Sequence, residues 1–255
     1  MEWFFVFYHN QFPQGTGFAM YGPEHLCFLL GIAITIVFVC VVYRRATPEK
    51  QALLCRVVAG TCFALEAAKQ VVLLITLPSY PVSQLTLHLC GLGIFVQMVD
   101  AFVPRWRKTT REILYSLSLP GAAAALFFPD WTAYPLLNFY CLQSFIIHGV
   151  LLCYPIILLA SHQMRPNWRR LWRPALFIVL IAGPIFLLNR RLGTNFLFIN
   201  GGSAGSPLEV LENLMGNPGY LVGYVGLVLV VWLLMYLPFI ITDAFKTKQG
   251  KPIGE

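Results

Sequence analysis

Leu85-Thr-Leu-His-Leu-Cys-Gly-Leu-Gly-Ile-Phe-Val-Gln-Met-Val-Asp-Ala-Phe-Val103 is the stretch that decides how this chain is read. It is apolar and long enough for a bilayer crossing, which takes about 20 mainly apolar residues. Yet it carries His88 and Cys90 near one end and Gln97 and Asp100 further in. Polar groups in hydrocarbon are costly, so they face a protein interior or a water-filled cavity and mark function. A polytopic membrane protein with a polar interior is the expectation.

The surroundings agree. Of 255 residues, 58% are hydrophobic and 11% charged, against about a quarter charged in soluble domains. A net charge of +7 would point to nucleic acid in a soluble protein, but here the charges fall between apolar runs, so no nucleic-acid partner is expected. Seven spans are expected at about 25–43, 52–77, 85–103, 112–128, 136–160, 174–189 and 219–241. The fold expected is all-α, a bundle of seven transmembrane helices in a single domain over 1–255.

Lys and Arg gather after the first, third, fifth and seventh runs, as Arg44–Arg45, Arg105–Arg111, Arg165–Arg173 and Lys246–Lys251. The loops after the second and fourth runs hold neither. The positive-inside rule reads this as seven helices with the N-terminus outside and the C-terminus cytoplasmic. Only Arg190 and Arg191 run against it. The aromatic Met1–Tyr8 segment lacks a basic n-region and a cleavage site, so it reads as an interfacial anchor and not a signal peptide. In the outer loop 190–218, Ser206-Pro207-Leu208-Glu209 looks like a helix start, with a stop at Gly216. That loop is either a lid or an ordinary connector.

The seven cysteines all lie in or beside apolar runs without a CxxC, so packing is their default role, and neither a disulfide framework nor a zinc ribbon is indicated. No metal or cofactor is expected. The glycines at 91, 93, 201 and 202 make no phosphate-loop pattern.

Helical spacing of about 100° per residue sorts the interior polar groups. Cys62, Glu66, Lys69 and Leu73 share one stripe, on which Glu66 and Lys69 can pair. Cys141, Ser144 and His148 fall in one arc with Asn138 beside it, whereas Gln143 points elsewhere. Cys90, Gly93 and Gln97 share a face. His88 and Cys90 point nearly opposite ways unless the helix starts later or unwinds, so Cys90 needs a base from another span. His148 is the best candidate; His25 sits at the outer edge of the first span. At about 1.5 Å per residue, Cys90, Lys69, Glu66 and His148 lie in the outer half of the bilayer. A thiol there is activated by a neighbouring imidazole or cation. The alternatives are a structural Glu66–Lys69 pair and a Cys90 that only packs. Asp100 is expected to meet Arg105 or its neighbours.

Leu-Thr-Leu-His-Leu-Cys at 85–90, Leu-Glu-Ala-Ala-Lys-Gln at 65–70, Phe-Ile-Ile-His-Gly at 145–149 and Gly-Thr-Asn-Phe-Leu-Phe at 193–198 together resemble the YwaF family. These are bacterial membrane proteins related to the eukaryotic transmembrane protein 164. The resemblance runs from about Pro23 to the last span. It implies seven helices and a bacterial plasma-membrane setting. Through the eukaryotic branch it implies a phospholipid acyltransferase, in which the His-x-Cys cysteine takes up the acyl chain. A related group, the androgen-induced-gene lipid hydrolases, uses Thr and His in a similar intramembrane site. Carried over, Cys90 matches the acyl-accepting cysteine and His148 the catalytic histidine. The residue after the cysteine is usually acidic in the bacterial pattern, but here it is Gly91.

The expected activity is therefore intramembrane acyl transfer or ester hydrolysis on membrane phospholipids. Cys90 and His148 carry it, with Lys69, Asn138 or Asn195 at the oxyanion and His88, Glu66, Ser144 and His25 in support. The competing expectation is a non-enzymatic binder or transporter using the Glu66, Lys69, His148 and Asp100 cluster.

Overall fold

In hydrocarbon every backbone N–H and C=O must be satisfied within its own segment, so long apolar runs become helices. The computed structural model describes residues 3–13 and 15–248; Met1, Glu2 and Lys251, invoked above, lie outside them. The described residues form helices and turns, with no strand among them. In order these are α1 (Pro23–Arg45), α2 (Pro48–Thr76), α3 (Leu89–Phe102), α4 (Arg107–Ile113), α5 (Leu119–Phe127), α6 (Phe139–Ala160), α7 (Trp172–Leu192), α8 (Pro207–Met215) and α9 (Tyr220–Lys248). A π-helical turn, Leu114–Ser118, joins α4 to α5.

Among the described residues five helices, α1, α2, α6, α7 and α9, are long and apolar enough to cross a membrane. A sixth candidate is the pair formed by α3 and the rod from Pro104 to Phe127, bent by 115°. The expected third and fourth spans are thus the two arms of one sharply bent element. Pro104 ends α3, because a proline disfavours helical backbone in the residue before it; Val103 takes φ −122° and ψ 82°.

Several boundaries move from the sequence expectation. Thr47 caps α2, its hydroxyl accepting from Lys50 N, so the helix starts at Pro48 and not near residue 52. The 85–103 run is helical only from Leu89. His88 is its extended N-cap, and Leu85–Leu87 is a turn closed by Leu87 N donating to Leu85 O at 2.7 Å. Asn138 caps α6, taking bonds from Tyr140 N and Cys141 N.

Helix α6 is the hub, packing against α1, α2, α3 and α5. The outward faces carry exposed apolar residues such as Leu30, Ile34, Val179, Leu187, Val222 and Leu234, as lipid-facing surfaces do. Helix α9 is tied on by Trp232 Nε1 donating to Ser116 O at 2.8 Å, Tyr236 OH to Glu112 Oε2 at 2.9 Å and Tyr115 OH to Met235 O at 2.7 Å. The π turn helps here, since such turns release a carbonyl from the regular ladder. The aromatic N-terminal segment folds over the start of α6, where Asn138 Nδ2 donates to Trp3 O and Val6 O.

Candidate functional site

Because α3 starts late, Cys90 is the second residue of a helix and not one in mid-span. The first turn of a helix leaves amide N–H groups unpaired, and His88 supplies no side-chain cap. Cys90 therefore sits where those amides and the positive end of the helix dipole point. The loop after α7 covers this end. Gly193 takes the left-handed C-terminal position (φ 65°) that favours glycine. Asn189 then accepts from Thr194 Oγ1 and Phe196 N and donates to Phe196 O, all at 2.9–3.0 Å. This clamp holds Leu197 and Phe198 at positive φ and lays Phe196 and Phe198 against the His88 ring, with centroids 5.2 and 5.3 Å away.

On the other side stands Glu66, buried on α2. Its Oε1 takes Lys69 Nζ at 2.9 Å, Gln70 Nε2 at 2.7 Å and Thr86 Oγ1 at 3.1 Å, and its Oε2 takes Gln143 Nε2 at 3.0 Å. Four donors from α2, the 85–88 turn and α6 make this carboxylate a fastener. Tyr80 extends the network by donating to Gln70 Oε1, and burial together with the Glu66 carboxylate pushes its phenol above the ordinary range, keeping it a donor. Gln143, which helical phase had turned away from the other polar groups, is the α6 residue that reaches α2.

His148 Nδ1 donates to Ser144 O at 2.7 Å. A carbonyl only accepts, so this bond puts the ring proton on Nδ1 and leaves the Nε2 lone pair free. The ring stacks on Trp131, 5.0 Å between centroids and 12° between planes. Trp131 Nε1 is buried without a partner among the described residues. Cys90 packs against the cluster of Cys62, Ile94, Ala122, Ile147 and Leu151, whose last two members lie on α6, the helix that carries His148. Asp130, Lys69 and Glu66 are within electrostatic reach of both Cys90 and His148, and Asp130 also of His88. No hydrogen bond joins Cys90 to His148 among the described residues. A groove of about 620 Å³ between α8, α9 and the end of α5 is lined largely by apolar groups of Phe128, Val210, Leu211, Gly223 and Leu227. Tyr224, next to Gly223, is within electrostatic reach of Cys90. Among the described residues no three His, Cys, Asp or Glu side chains converge as metal ligands would.

A profile of the TMEM164 family matches residues 20–236. The chain belongs to the TMEM164 family. Neither the curated proteins nor the solved structures yield a match.

For this TMEM164-family chain, three residues expected in support are engaged elsewhere. His25 accepts from Tyr21 N and donates to Leu126 O at 2.8 Å, a buried tie between α1 and α5. Asn138 spends its amide on the α6 cap and the N-terminal segment. Asn195 accepts from Asn200 N and donates to Gly201 O, bracing its own loop. Asp130 and Trp131 went unread in the sequence because they lie in a loop. The signal available was an acidic residue beside a tryptophan at the end of an apolar run.

Proposed function

We propose that the protein is an intramembrane acyl-transfer enzyme, an acyltransferase or ester hydrolase acting on membrane phospholipids, with Cys90 as nucleophile and His148 as base. The observation that carries the reading is a thiol in the first turn of α3 and an imidazole on α6 whose Nε2 is free, both within electrostatic reach of Lys69, Glu66 and Asp130. His148 Nε2 takes the thiol proton and Cys90 Sγ attacks the ester carbonyl. The oxyanion is received by the uncapped first-turn amides of α3, aided by the Lys69 ammonium. Asn138 and Asn195 are too committed for that role. The lyso-lipid alkoxide leaves with the proton from the imidazolium. A second alcohol or water then gives its proton to His148 and attacks the thioester, releasing the thiolate. The apolar groove beside Tyr224 takes the acyl chain, and Asp130 stabilises the imidazolium from the loop.

In the same reading, α3 and the α4–α5 rod each cross the membrane, giving seven crossings with the N-terminus outside, as the alternating Lys/Arg loops support. Helix α3 is short for a crossing; the turn before it is half-covered by the α7–α8 loop and tied to Glu66 through Thr86, and non-helical backbone is tolerated at membrane depth where protein covers it. The transporter reading is disfavoured because the Glu66 carboxylate is held by four donors from α2, the 85–88 turn and α6, as a fastener between segments is.

The test is covalent capture with an alkyne-tagged phospholipid acyl donor in lipid nanodiscs. Label is expected on Cys90, released by neutral hydroxylamine, absent in Cys90→Ala and strongly slowed in His148→Ala. A folded protein that takes no label from several phospholipid classes sinks the proposal.

A further inference from the structure

At the opposite end of α3 lies a second polar site that the acyl-transfer reading does not use. Asp100 is ten residues from Cys90, about 15 Å along the helix axis. A cavity of about 330 Å³ opens there, lined among others by Gln51, Asp100, Arg107, Arg111, Tyr154 and Gln163. Asp100 is 1% exposed and both its carboxylate oxygens are engaged. Oδ1 accepts from Thr110 Oγ1 at 2.7 Å and Arg111 Nε at 3.3 Å, and Oδ2 accepts from Tyr154 OH at 3.0 Å.

The arginines are not equally occupied. Arg111 pairs with Asp100 and donates a second bond to Gln163 O. Arg107 spends only Nε, on the Asp100 carbonyl at 3.2 Å. Its two terminal nitrogens meet no acceptor among the described residues. Two guanidinium groups against one carboxylate leave one positive charge in the lining, and it sits on the arginine whose fork is open. The floor is pre-set by amides: Gln163 Nε2 donates to Gln51 Oε1 at 2.6 Å, and Gln51 Nε2 to Tyr43 O at 2.9 Å. Each of those NH₂ groups keeps a second proton to give.

We infer that this cavity binds a phosphate group through the open fork of Arg107, with Arg111 and the Gln51 and Gln163 amides completing the shell. An arginine fork matches a phosphate in two parallel bonds, and a phosphate has oxygens enough for the remaining donors. The group belongs either to a phospholipid headgroup reached from the membrane face or to a small soluble phosphate ester.

The test uses the full chain in a phosphate-free maltoside. Inorganic phosphate and glycerol phosphate are titrated against chloride at equal ionic strength, following thermal unfolding, and native mass spectrometry counts phosphatidylglycerol retained per chain. Phosphate is expected to raise the melting temperature of the native protein, with affinity lowered about tenfold or more in Arg107→Gln and partly recovered in Arg107→Lys. Asp100 keeps Arg111, Thr110 and Tyr154 in those variants. Gln51→Leu leaves every arginine in place and should weaken binding several-fold. Retained lipid that Arg107→Gln releases assigns the headgroup; a phosphate response without retained lipid assigns the soluble ester. Equal behaviour of native protein and Arg107→Gln in both arms, or no response in either, overturns the inference.

Discussion

Replacing Gly91 by alanine tests the seat on which Cys90 rests. A Cβ at Gly91 would lie 2.6 Å from Thr86 Cγ2, 2.7 Å from the Thr86 carbonyl oxygen and 2.9 Å from its carbon. Rotating the methyl away breaks the 3.1 Å bond from Thr86 Oγ1 to Glu66, and the carbonyl cannot move without the backbone. The 85–88 turn must therefore draw back by more than half an ångström to reach ordinary contact. Overpacking of this kind costs about 1–3 kcal/mol. Alanine in place of glycine in a helix returns about 1 kcal/mol. The net expectation for Gly91→Ala is a loss of up to about 2 kcal/mol, as much as several degrees of melting temperature at about 2–4 °C per kcal/mol in a chain this size. Gly60 on α2 has nothing within 4 Å of its would-be Cβ, so Gly60→Ala should raise the melting temperature slightly. Thermal unfolding in nanodiscs by tryptophan fluorescence measures both, and maleimide labelling of Cys90 reports whether the displaced turn uncovers the thiol. If Gly91→Ala gains as much melting temperature as Gly60→Ala, Thr86 does not seat on Gly91 and the account of the α3 start is wrong.

Glu66→Gln removes the counter-charge of Lys69 and sets an amide against four donors. The expected cost is about 3 kcal/mol, as for one member of a buried pair left alone. The double change Glu66→Leu with Lys69→Met should recover most of it by thermal unfolding, and a failure to recover would mean the hydrogen bonds rather than the ion pair carry the stability. Gln97 is fully buried on α3 with neither amide atom partnered among the described residues. An unsatisfied buried amide costs about 1–3 kcal/mol, so Gln97→Leu should match or exceed the native melting temperature; a clear drop would show that the amide has a partner in lipid.

Legibility in the sequence followed the range of the interaction. The apolar runs, the short helix behind Ser206 and Pro207, and the Cys62–Glu66–Leu73 stripe depend on composition and on neighbours a few residues away, and each can be read from the text of the chain. Asp100 was matched with the basic turn after α3 for the same reason, and Arg111 is its partner. The reading of Gln143 as pointing elsewhere was correct in phase relative to Ser144 and His148. It missed that α2 lies on that other side. Asn195 looked free to hold an oxyanion, but its own loop folds back and takes both ends of its amide.

What the sequence by itself determined is that the chain is helical and built for a membrane, and which polar residues sit inside its apolar runs. Local periodicity and the cost of exposed backbone in lipid are enough for that. Only the tertiary structure decided that α3 begins at Leu89. That start depends on Thr86 bonding to Glu66, twenty positions back, and on Asn189 holding the 193–198 loop against His88. Packing between segments likewise puts Cys90 at a helix start, stacks His148 on Trp131 with Nε2 free, and recruits Asp130 from the same loop. Each is a meeting of segments far apart in the chain, and no spacing within one helix encodes which other helix will be its neighbour.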